Sequence, residues 1–170
     1  MTDLLLFAQE DIIMQNRMKT HQLTEGQCRD LLKTAEVGAL ATLGADGRPY
    51  NVPVHFALAE DTVYIHGLPV GEKVDNIRRN PAVCLTVWDM KGYLMDSNGK
   101  PCDTNTEYQS VVIRGTASMV EDMTEKLAAL HAVVVKYTPQ LAELELPEGM
   151  IRGTGVIAVK IDEITGKYYE

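Results

Sequence analysis

The sequence predicts a mainly β domain with flanking helices, whose strands close into an antiparallel barrel. At least six short runs rich in Val, Ile, Leu and Thr recur along the chain, and most are joined by turns too short to hold a helix. Helical patterns are few and do not alternate regularly with these runs, which argues against a doubly wound parallel sheet. A barrel is favoured because closure removes exposed strand edges.

Composition excludes several classes of protein. The length of 170 residues and the hydrophobic content of 45% fit one globular domain. A net charge of −8 argues against nonspecific nucleic-acid binding and against docking on an anionic membrane, since both need clustered Lys and Arg. Cys28, Cys84 and Cys102 are widely spaced and lack a Cys-x-x-Cys pair, so neither disulfides nor a zinc site is indicated. We therefore expect a cytoplasmic protein without a metal site.

The recognisable domain pattern begins just after Met18. We predict that residues 1–17 are an N-terminal extension and that the domain spans residues 18–170. Met18 is an alternative start of translation; residues 1–17 could instead form an amphipathic turn or helix that packs on the domain or on a partner. Acidic flanks and the lack of a basic region argue against a signal peptide, and no apolar run reaches the ~18–20 residues of a membrane span.

Local signals place the elements of the first half. A Thr-x-x-Gln capping box at Thr24 predicts a helix over 25–34. Asp46-Gly47 is a hairpin signal, and Pro53, which cannot donate a ladder hydrogen bond, marks an edge, a bulge or an opening. The strands predicted around these signals are 37–43, 50–58 and 62–66.

In the second half, Asn80-Pro81 ends a helix predicted over 72–79. Residues 89–106 are polar and rich in turn residues, which predicts a long loop or a loose hairpin. A helix capped near Asp122 carries apolar residues at helical spacing up to Tyr137, which predicts a core-facing helix. The remaining predicted elements are strands 82–88, 108–119 and 155–161, a short helix within 140–154, and a continuation or return strand over 163–168.

The run from Tyr64 to Pro81, YIHGLPVGEKVDNIRRNP, predicts a strand, a glycine-containing turn and a helix N-terminus. Free backbone N–H groups and the helix dipole make such a junction suitable for an anion. Lys73 places a full positive charge on the first helical turn, where cations are normally disfavoured, and an anion would compensate it. The simpler alternative, which the local evidence favours, is an ordinary solvated lysine, since charge preferences at helix ends are worth only ~0.3–1 kcal/mol.

Other chemistry is poorly supported. His55 and His66 lie on adjacent predicted strands, but no third ligand stands at a convincing spacing for a metal. The sequence contains no G-x-S-x-G turn, no Walker loop and no G-x-G-x-x-G motif. Apolar strands beside one lysine-bearing loop suit a flat aromatic ligand that carries a phosphate.

The runs VGALATLGADGRPYNVPVHFAL and VYIHGLPVGEKVDNIRRNPAVCLTV, followed by PCD and YQSVVIRGTA, resemble the FMN-binding split-barrel superfamily. More narrowly, they are similar to its pyridoxamine 5′-phosphate oxidase-like branch, which includes the nitroimidazole-resistance (Nim) proteins. The likeness extends from about Met18 to Lys167. It implies a six-stranded antiparallel split β-barrel and a homodimer with FMN in the clefts between subunits.

The resemblance also implies roles for individual residues. His66 is implied to lie near the flavin and is the one side chain nominated for a chemical role. Lys73 matches the phosphate-binding lysine, and Ile65 matches the strand end beside the ribityl-phosphate chain. Tyr108 and Ser110 match a segment that reaches the flavin, often from the other subunit. The strand along the isoalloxazine edge corresponds to Val52, Pro53, Val54, His55 and Phe56.

The implied activity is FMN-dependent transfer of electrons from NADH or NADPH to a small acceptor, with a nitroaromatic as the family-suggested example. The chain departs from the full oxidases at Glu72, which stands beside Lys73 where more positive charge is expected, and in ending soon after Gly166-Lys167 without their C-terminal arginine. Pyridoxamine phosphate oxidation is therefore not expected. A flavin-storage protein, or a split barrel that binds haem or a deazaflavin, is the alternative.

Overall fold

The computed structural model describes residues 19–170, so the predicted extension over 1–17 lies outside the described residues. Two 3-10 turns, Pro101–Asp103 and Pro139–Leu141, accompany the regular elements. The helices are α1 (Glu25–Thr34), α2 (Glu72–Arg79), α3 (Met123–Tyr137) and α4 (Glu148–Gly153). The strands are β1 (Gly38–Leu43), β2 (Pro49–Val54), β3 (Phe56–Ala59), β4 (Thr62–Gly67), β5 (Ala82–Leu94), β6 (Asn105–Met119) and β7 (Gly155–Tyr169).

Within residues 19–170 the strands form one antiparallel sheet in the order β2-β1-β5-β6-β7-β4-β3. Its two edge strands, β2 and β3, are consecutive in the chain and are separated only by His55. Neighbouring Cα atoms are ~3.8 Å apart, so a one-residue link brings the two edges of the sheet together. The sheet must therefore roll into a barrel, which confirms the predicted fold class.

The strand count differs from the six predicted because the run over 50–58 is divided at His55. Val54 is still paired with Gly38 of β1, whereas Phe56 is already paired with Ile65 of β4. One apolar run therefore pairs with two different strands, with β1 before His55 and with β4 after it, and His55 itself is paired with neither. The sequence pattern shows the run but not the change of partner.

The region predicted as a loop or loose hairpin over 89–106 is a hairpin. β5 continues to Leu94, which pairs with Asn105 of β6, so that only 95–104 connects the strands. A bulge between Met90 and Gly92 interrupts the register. This extension of β5 lies away from the core, so its residues need not alternate between apolar and polar. Its polar and turn-forming residues therefore do not show a strand pattern in the sequence.

Local signals explain α1 and α2. Both capping-box bonds form at α1: the Gln27 amide donates to the Thr24 side-chain oxygen, and the Gln27 side chain accepts from the Thr24 amide at 2.8 Å. At α2, Gly71 has φ 126°, a conformation that only glycine adopts readily. Asn76 is buried and donates to the Thr42 hydroxyl at 3.1 Å, which satisfies its amide against β1.

The core lies inside the barrel and beneath α1. Its largest fully buried side chains come from α1 and α2 and from strands β1, β3, β4, β5, β6 and β7. Burying one such side chain contributes about 1.5–3 kcal/mol. They include Leu32, Leu40, Phe56, Leu85 and Ile113.

The apolar stripe predicted for α3 faces the sheet but is only partly buried, with Leu130 packed against a buried cluster of Val120, Ala129 and Val156. Ala129 is its one buried residue, while Leu127 and Val135 are 43% and 46% exposed. The helix packs on the outside of the sheet, against β3, β4 and β7, so only one side of it is covered. Periodicity shows that a helix is amphipathic, but not which surface covers its apolar side.

We predict that Gly115→Ala destabilises the fold. A Cβ atom at Gly115 would lie 2.5 Å from the Lys160 carbonyl oxygen and 2.8 Å from Val159 Cγ1, so the backbone of β7 would have to move. Such overpacking costs about 1–3 kcal/mol. The measurement is the free energy of unfolding in urea.

The matched control is Gly92→Ala. Both glycines lie beside a bulge, Gly115 in the β6–β7 pair and Gly92 in the β5–β6 pair, but a Cβ added at Gly92 would have no atom within 4 Å. Equal losses of unfolding free energy in the two variants would contradict the prediction.

Candidate functional site

The strand–loop–helix junction predicted around Lys73 is present. β4 ends at Gly67, the chain turns through 68–71, and α2 begins at Glu72 with Lys73 on its first turn. A Cβ atom at Gly67 would lie 3.6 Å from Lys73 Nζ, so the ammonium group sits beside the end of the strand. The N-cap, Gly71, supplies no side-chain oxygen to the amides of the first turn. An anion here would meet both the ammonium and the helix N-terminus.

His66, the last residue of β4 before Gly67, is half-buried. Its Nδ1 atom is buried and has no hydrogen-bond partner within the described chain. Burial lowers the pKa of His66 below its ordinary value, and His55 and Lys73 lower it further because each disfavours a second positive charge nearby. The ring is therefore neutral at pH 7, and it keeps hydrogen-bonding capacity that a buried polar atom would normally use.

The second part of the site is the link between β2 and β3. The Tyr137 hydroxyl accepts a hydrogen bond from the Phe56 amide at 2.9 Å, and it lies 2.6 Å from the Glu36 carbonyl oxygen and 3.0 Å from that of Phe56. The His55 ring packs against the Tyr137 ring with centroids 4.8 Å apart. One side chain of α3 therefore supplies hydrogen bonds at the point where the ladders change partner.

Lys136 supports the same link from the core side. Its ammonium donates to the Leu32 carbonyl at 2.9 Å and lies 3.6 Å from the centroid of the Phe56 ring. Burial lowers the pKa of Lys136 to about 8. The carbonyl and the ring favour the charged form, but loss of hydration outweighs them.

The predicted isoalloxazine-edge residues alternate in burial. Val54 and Phe56 are buried, whereas Pro53 and His55 are exposed and Val52 is half-buried. Ile65 is buried and lies opposite Phe56. Because the side chains of Val54, Phe56 and Ile65 point into the core, only their main-chain atoms can face a ligand outside the barrel. This fits the main-chain role that the resemblance implied.

Tyr108 and Ser110 are not brought to this site in the same chain. His66 pairs with Val156 near the start of β7, whereas Tyr108 pairs with Tyr169 at its end. Those partners are thirteen positions apart along β7, which is about 40 Å of strand. Tyr108 and Ser110 therefore lie beside one end of β7, and His66 lies beside the other.

Tyr108 and Ser110 instead belong to a sheet surface that is partly exposed within residues 19–170. We call it the outer face and define it by Thr86, Trp88, Met90, Tyr108, Ser110 and Val112. Register places Trp88 opposite Ser110 and Met90 opposite Tyr108. Trp88 and Met90 are 53% and 50% exposed. A sheet surface this apolar is typical of an interface between protein chains.

A separate groove of about 650 Å³ lies between α3 and the segment 144–151. Leu127, Leu144, Leu146 and Ile151 line much of it, and it contains none of the predicted site residues. The described part of the chain, residues 19–170, brings no three His, Cys, Asp or Glu side chains together as a metal site. No helix in that same range has both the length and the apolar character of a membrane span.

Sequence reasoning missed Lys136, Tyr137 and Trp88. Tyr137 was assigned to the apolar stripe of α3, and nothing local marks it as a partner for Phe56, which is 81 positions away. Lys136 looks like an ordinary helix-end cation. Trp88 carried one usable signal: it follows the apolar run of β5 on the side of the strand that faces away from the core.

Comparison with known proteins identifies the family. The model of the family described as pyridoxamine 5′-phosphate oxidase matches residues 24–168, and the chain belongs to that family. A 5a,11a-dehydrotetracycline/5a,11a-dehydrooxytetracycline reductase of Streptomyces rimosus is 37% identical over 90 residues, which are 51% of this chain and 56% of the reductase. The matching stretch thus spans about half the length of that relative.

Two solved structures share the fold. A candidate 5-nitroimidazole antibiotic resistance protein of Bacteroides thetaiotaomicron has a TM-score of 0.74 and 27% identity, covering 86% of this chain and 85% of its own. An FAD- and heme-binding protein of Mycobacterium smegmatis has a TM-score of 0.79 and 22% identity, covering 88% and 74%. The second likeness is one of fold alone.

We predict that Lys136 makes stability rise with pH above neutrality. Its folded-state pKa of about 8 lies below the ordinary 10.5, so between these values the unfolded chain holds a proton that the folded chain has released. The free energy of unfolding therefore increases with pH in this window. After allowance for partial exposure, the increase is about 1–2 kcal/mol.

The measurement is urea unfolding at pH 7.5 and 9.5 for the wild type and for Lys136→Met. Subtracting the unfolding free energies of the two proteins cancels the pH dependence that comes from groups present in both, such as Tyr64 and Tyr137. Parallel pH profiles would contradict the prediction.

We also predict that Lys73→Met raises the pKa of His66, because it removes a positive charge that disfavours the imidazolium. The measurement is an NMR titration of the imidazole nitrogens. Arg78→Met is the control, since it removes the same charge from the last turn of α2. A His66 midpoint that moves equally in both variants would show a general charge effect instead.

Proposed function

We propose that the protein is an FMN-dependent oxidoreductase that works as a homodimer. The observation that carries the proposal is the junction at the end of β4. There the Lys73 ammonium, a helix N-terminus without a side-chain cap and the unpartnered Nδ1 of His66 lie together. These groups suit a ligand with a phosphate and a polar chain.

The residues present fit FMN. Lys73 and the first-turn amides of α2 would hold the phosphate, and Ile65 and His66 would flank the ribityl chain. The main chain of Val52–Phe56 would run along the isoalloxazine edge, since the alternate side chains are committed to the core. When bound, FMN supplies hydride and electron transfer, which leaves the protein to bind, orient and exclude water.

Glu72 is the residue that opposes this fit. It places a negative charge beside Lys73 and partly cancels the local positive potential. It also lies in the first helical turn, where acidic residues interact favourably with the helix dipole. Glu72 therefore favours the helix while weakening attraction for a phosphate.

The proposal of a homodimer is supported by the separation of the residues that the resemblance implied. Tyr108 and Ser110 stand about 40 Å along β7 from the strand end at His66. If they contribute to the flavin site, as the resemblance implies, a second subunit would supply them. The outer face, with Trp88 and Met90 about half exposed, is the surface we assign to that contact. Two identical sites would result from an isologous interface.

For the substrate we propose a small, flat, conjugated acceptor that receives electrons from NADH or NADPH. The Streptomyces rimosus relative is described as a reductase of a dehydrotetracycline, and the Bacteroides thetaiotaomicron protein as a candidate for nitroimidazole resistance. Both descriptions concern conjugated organic molecules. His66, neutral and beside the ribityl path, is the side chain we propose for hydrogen bonding during the reaction.

The primary test is a visible spectrum of the purified protein after incubation with FMN and gel filtration. We expect a flavin spectrum in a dimer-sized peak, bleached by NADH or NADPH and restored by a nitroaromatic. Retained flavin that neither donor reduces would indicate a storage protein. Retention of haem or a deazaflavin in place of FMN would overturn the cofactor assignment.

We predict that Lys73→Ala weakens FMN binding roughly tenfold to a hundredfold, because a charge-assisted hydrogen bond is worth about 1.5–3 kcal/mol. Arg78→Ala is the matched control, since it removes one charge from the exposed end of the same helix. Affinity is measured by quenching of FMN fluorescence. Unchanged affinity in Lys73→Ala would exclude the phosphate role.

We predict that His66→Ala lowers turnover while FMN is retained. The expected result is a fall in kcat with a change in FMN affinity that is small beside that of Lys73→Ala. Loss of the flavin with loss of stability would instead assign His66 to packing. Thermal unfolding of the cofactor-free variants separates the two outcomes.

A further inference from the structure

At the link between β2 and β3, the peptide groups of His55 and those of Phe56 differ in their capacity to bind a ligand. The Phe56 amide donates to the Tyr137 hydroxyl at 2.9 Å, and the Phe56 carbonyl lies 3.0 Å from the same oxygen. The amide is therefore engaged by a side chain of α3, and the carbonyl shares the single hydroxyl proton with the Glu36 carbonyl, which lies 2.6 Å away. His55 belongs to neither strand ladder and is exposed. Of the two residues at this corner, His55 retains the peptide groups that can turn to a ligand.

Tyr137 also orients His55 itself. The two rings pack with centroids 4.8 Å apart and an interplanar angle of 37°. The Tyr137 hydroxyl reaches the Glu36 carbonyl at 2.6 Å, which fixes the phenol between the start of β1 and the start of β3. A hydroxyl held at three backbone atoms has little freedom, so the ring beneath His55 is a rigid support.

We propose that Tyr137 is a positioning residue for the flavin. It engages the backbone of Phe56 and supports His55, so that His55 presents the corner's peptide groups to the isoalloxazine edge. Tyr137 acts through these two residues and does not itself touch the ring. This inference rests on the proposed function, and it narrows the predicted Val52–Phe56 edge to a particular residue and its support.

The experiment compares Tyr137→Phe with Tyr64→Phe. Tyr64 is the matched control because its hydroxyl also joins the sheet to α3, through Glu125 at 3.1 Å, but does so away from the corner. Three quantities are measured: amide hydrogen exchange at Phe56 without cofactor, the Kd for FMN, and the visible spectrum and reduction potential of bound FMN.

For Tyr137→Phe we expect faster exchange at Phe56, a Kd raised about tenfold, and a shifted flavin spectrum and potential. Tyr64→Phe is expected to match the wild type in all three. His55→Ala, which alters an exposed side chain and leaves the hydroxyl bonds in place, is a second variant should Tyr137→Phe fold poorly. It is expected to shift the spectrum.

Failure of the proposed function and failure of the positioning role give different experimental results. A wild-type protein that does not bind FMN overturns the proposed function and this inference with it. A wild type that binds FMN, with Tyr137→Phe and His55→Ala indistinguishable from Tyr64→Phe in Kd, spectrum and potential, overturns only the positioning role. Faster exchange at Phe56 without a flavin effect would assign Tyr137 to stability alone and would equally overturn it.

Discussion

Closure of the sheet at His55 is the constraint on which the rest of the structure depends. A single residue joins the first and last strands of the sheet order, so the sheet has to curl until its edges meet. Ladder hydrogen bonds cannot continue through that corner, and the Tyr137 hydroxyl replaces them at Phe56. Curling also creates the enclosed volume that the aliphatic side chains and Phe56 fill. Backbone pairing, core packing and the position of α3 are thus consequences of one short connection.

At the same corner, a buried aromatic ring, a cation–π contact and a charged hydrogen bond lie close together. Phe56 is fully buried, Lys136 lies against its ring, and Lys136 in turn donates to the last turns of α1 at Leu32. A half-buried ammonium is costly, and here hydrogen bonding and a π face offset part of that cost. The arrangement couples α1, β3 and α3, three elements far apart in sequence.

The sequence was sufficient where structure is encoded locally. The bounds of α1 and α2 were predicted to the residue because the signals that mark them lie directly beside the helix ends. The capping box at Thr24 precedes α1, and the stop at Asn80-Pro81 follows α2. The junction around Lys73 was accessible for the same reason. The break at His55 was not, because the run through it stays apolar while its pairing partner changes. The exposed side of α3 and the contact of Tyr137 with Phe56 depend on surfaces many residues away. The resemblance implied Tyr108 and Ser110, but only the strand register shows that they lie far from His66.

Trp88 carries a practical consequence. It is the single tryptophan of the chain and lies half exposed on the outer face. Indole emission moves to shorter wavelength as water is excluded, so the intrinsic fluorescence of the protein reports how dry that face is. No dye and no added tryptophan would be needed to follow the surface through dilution, denaturation or ligand addition. Trp88 is therefore an intrinsic fluorescence probe of whether the outer face is covered.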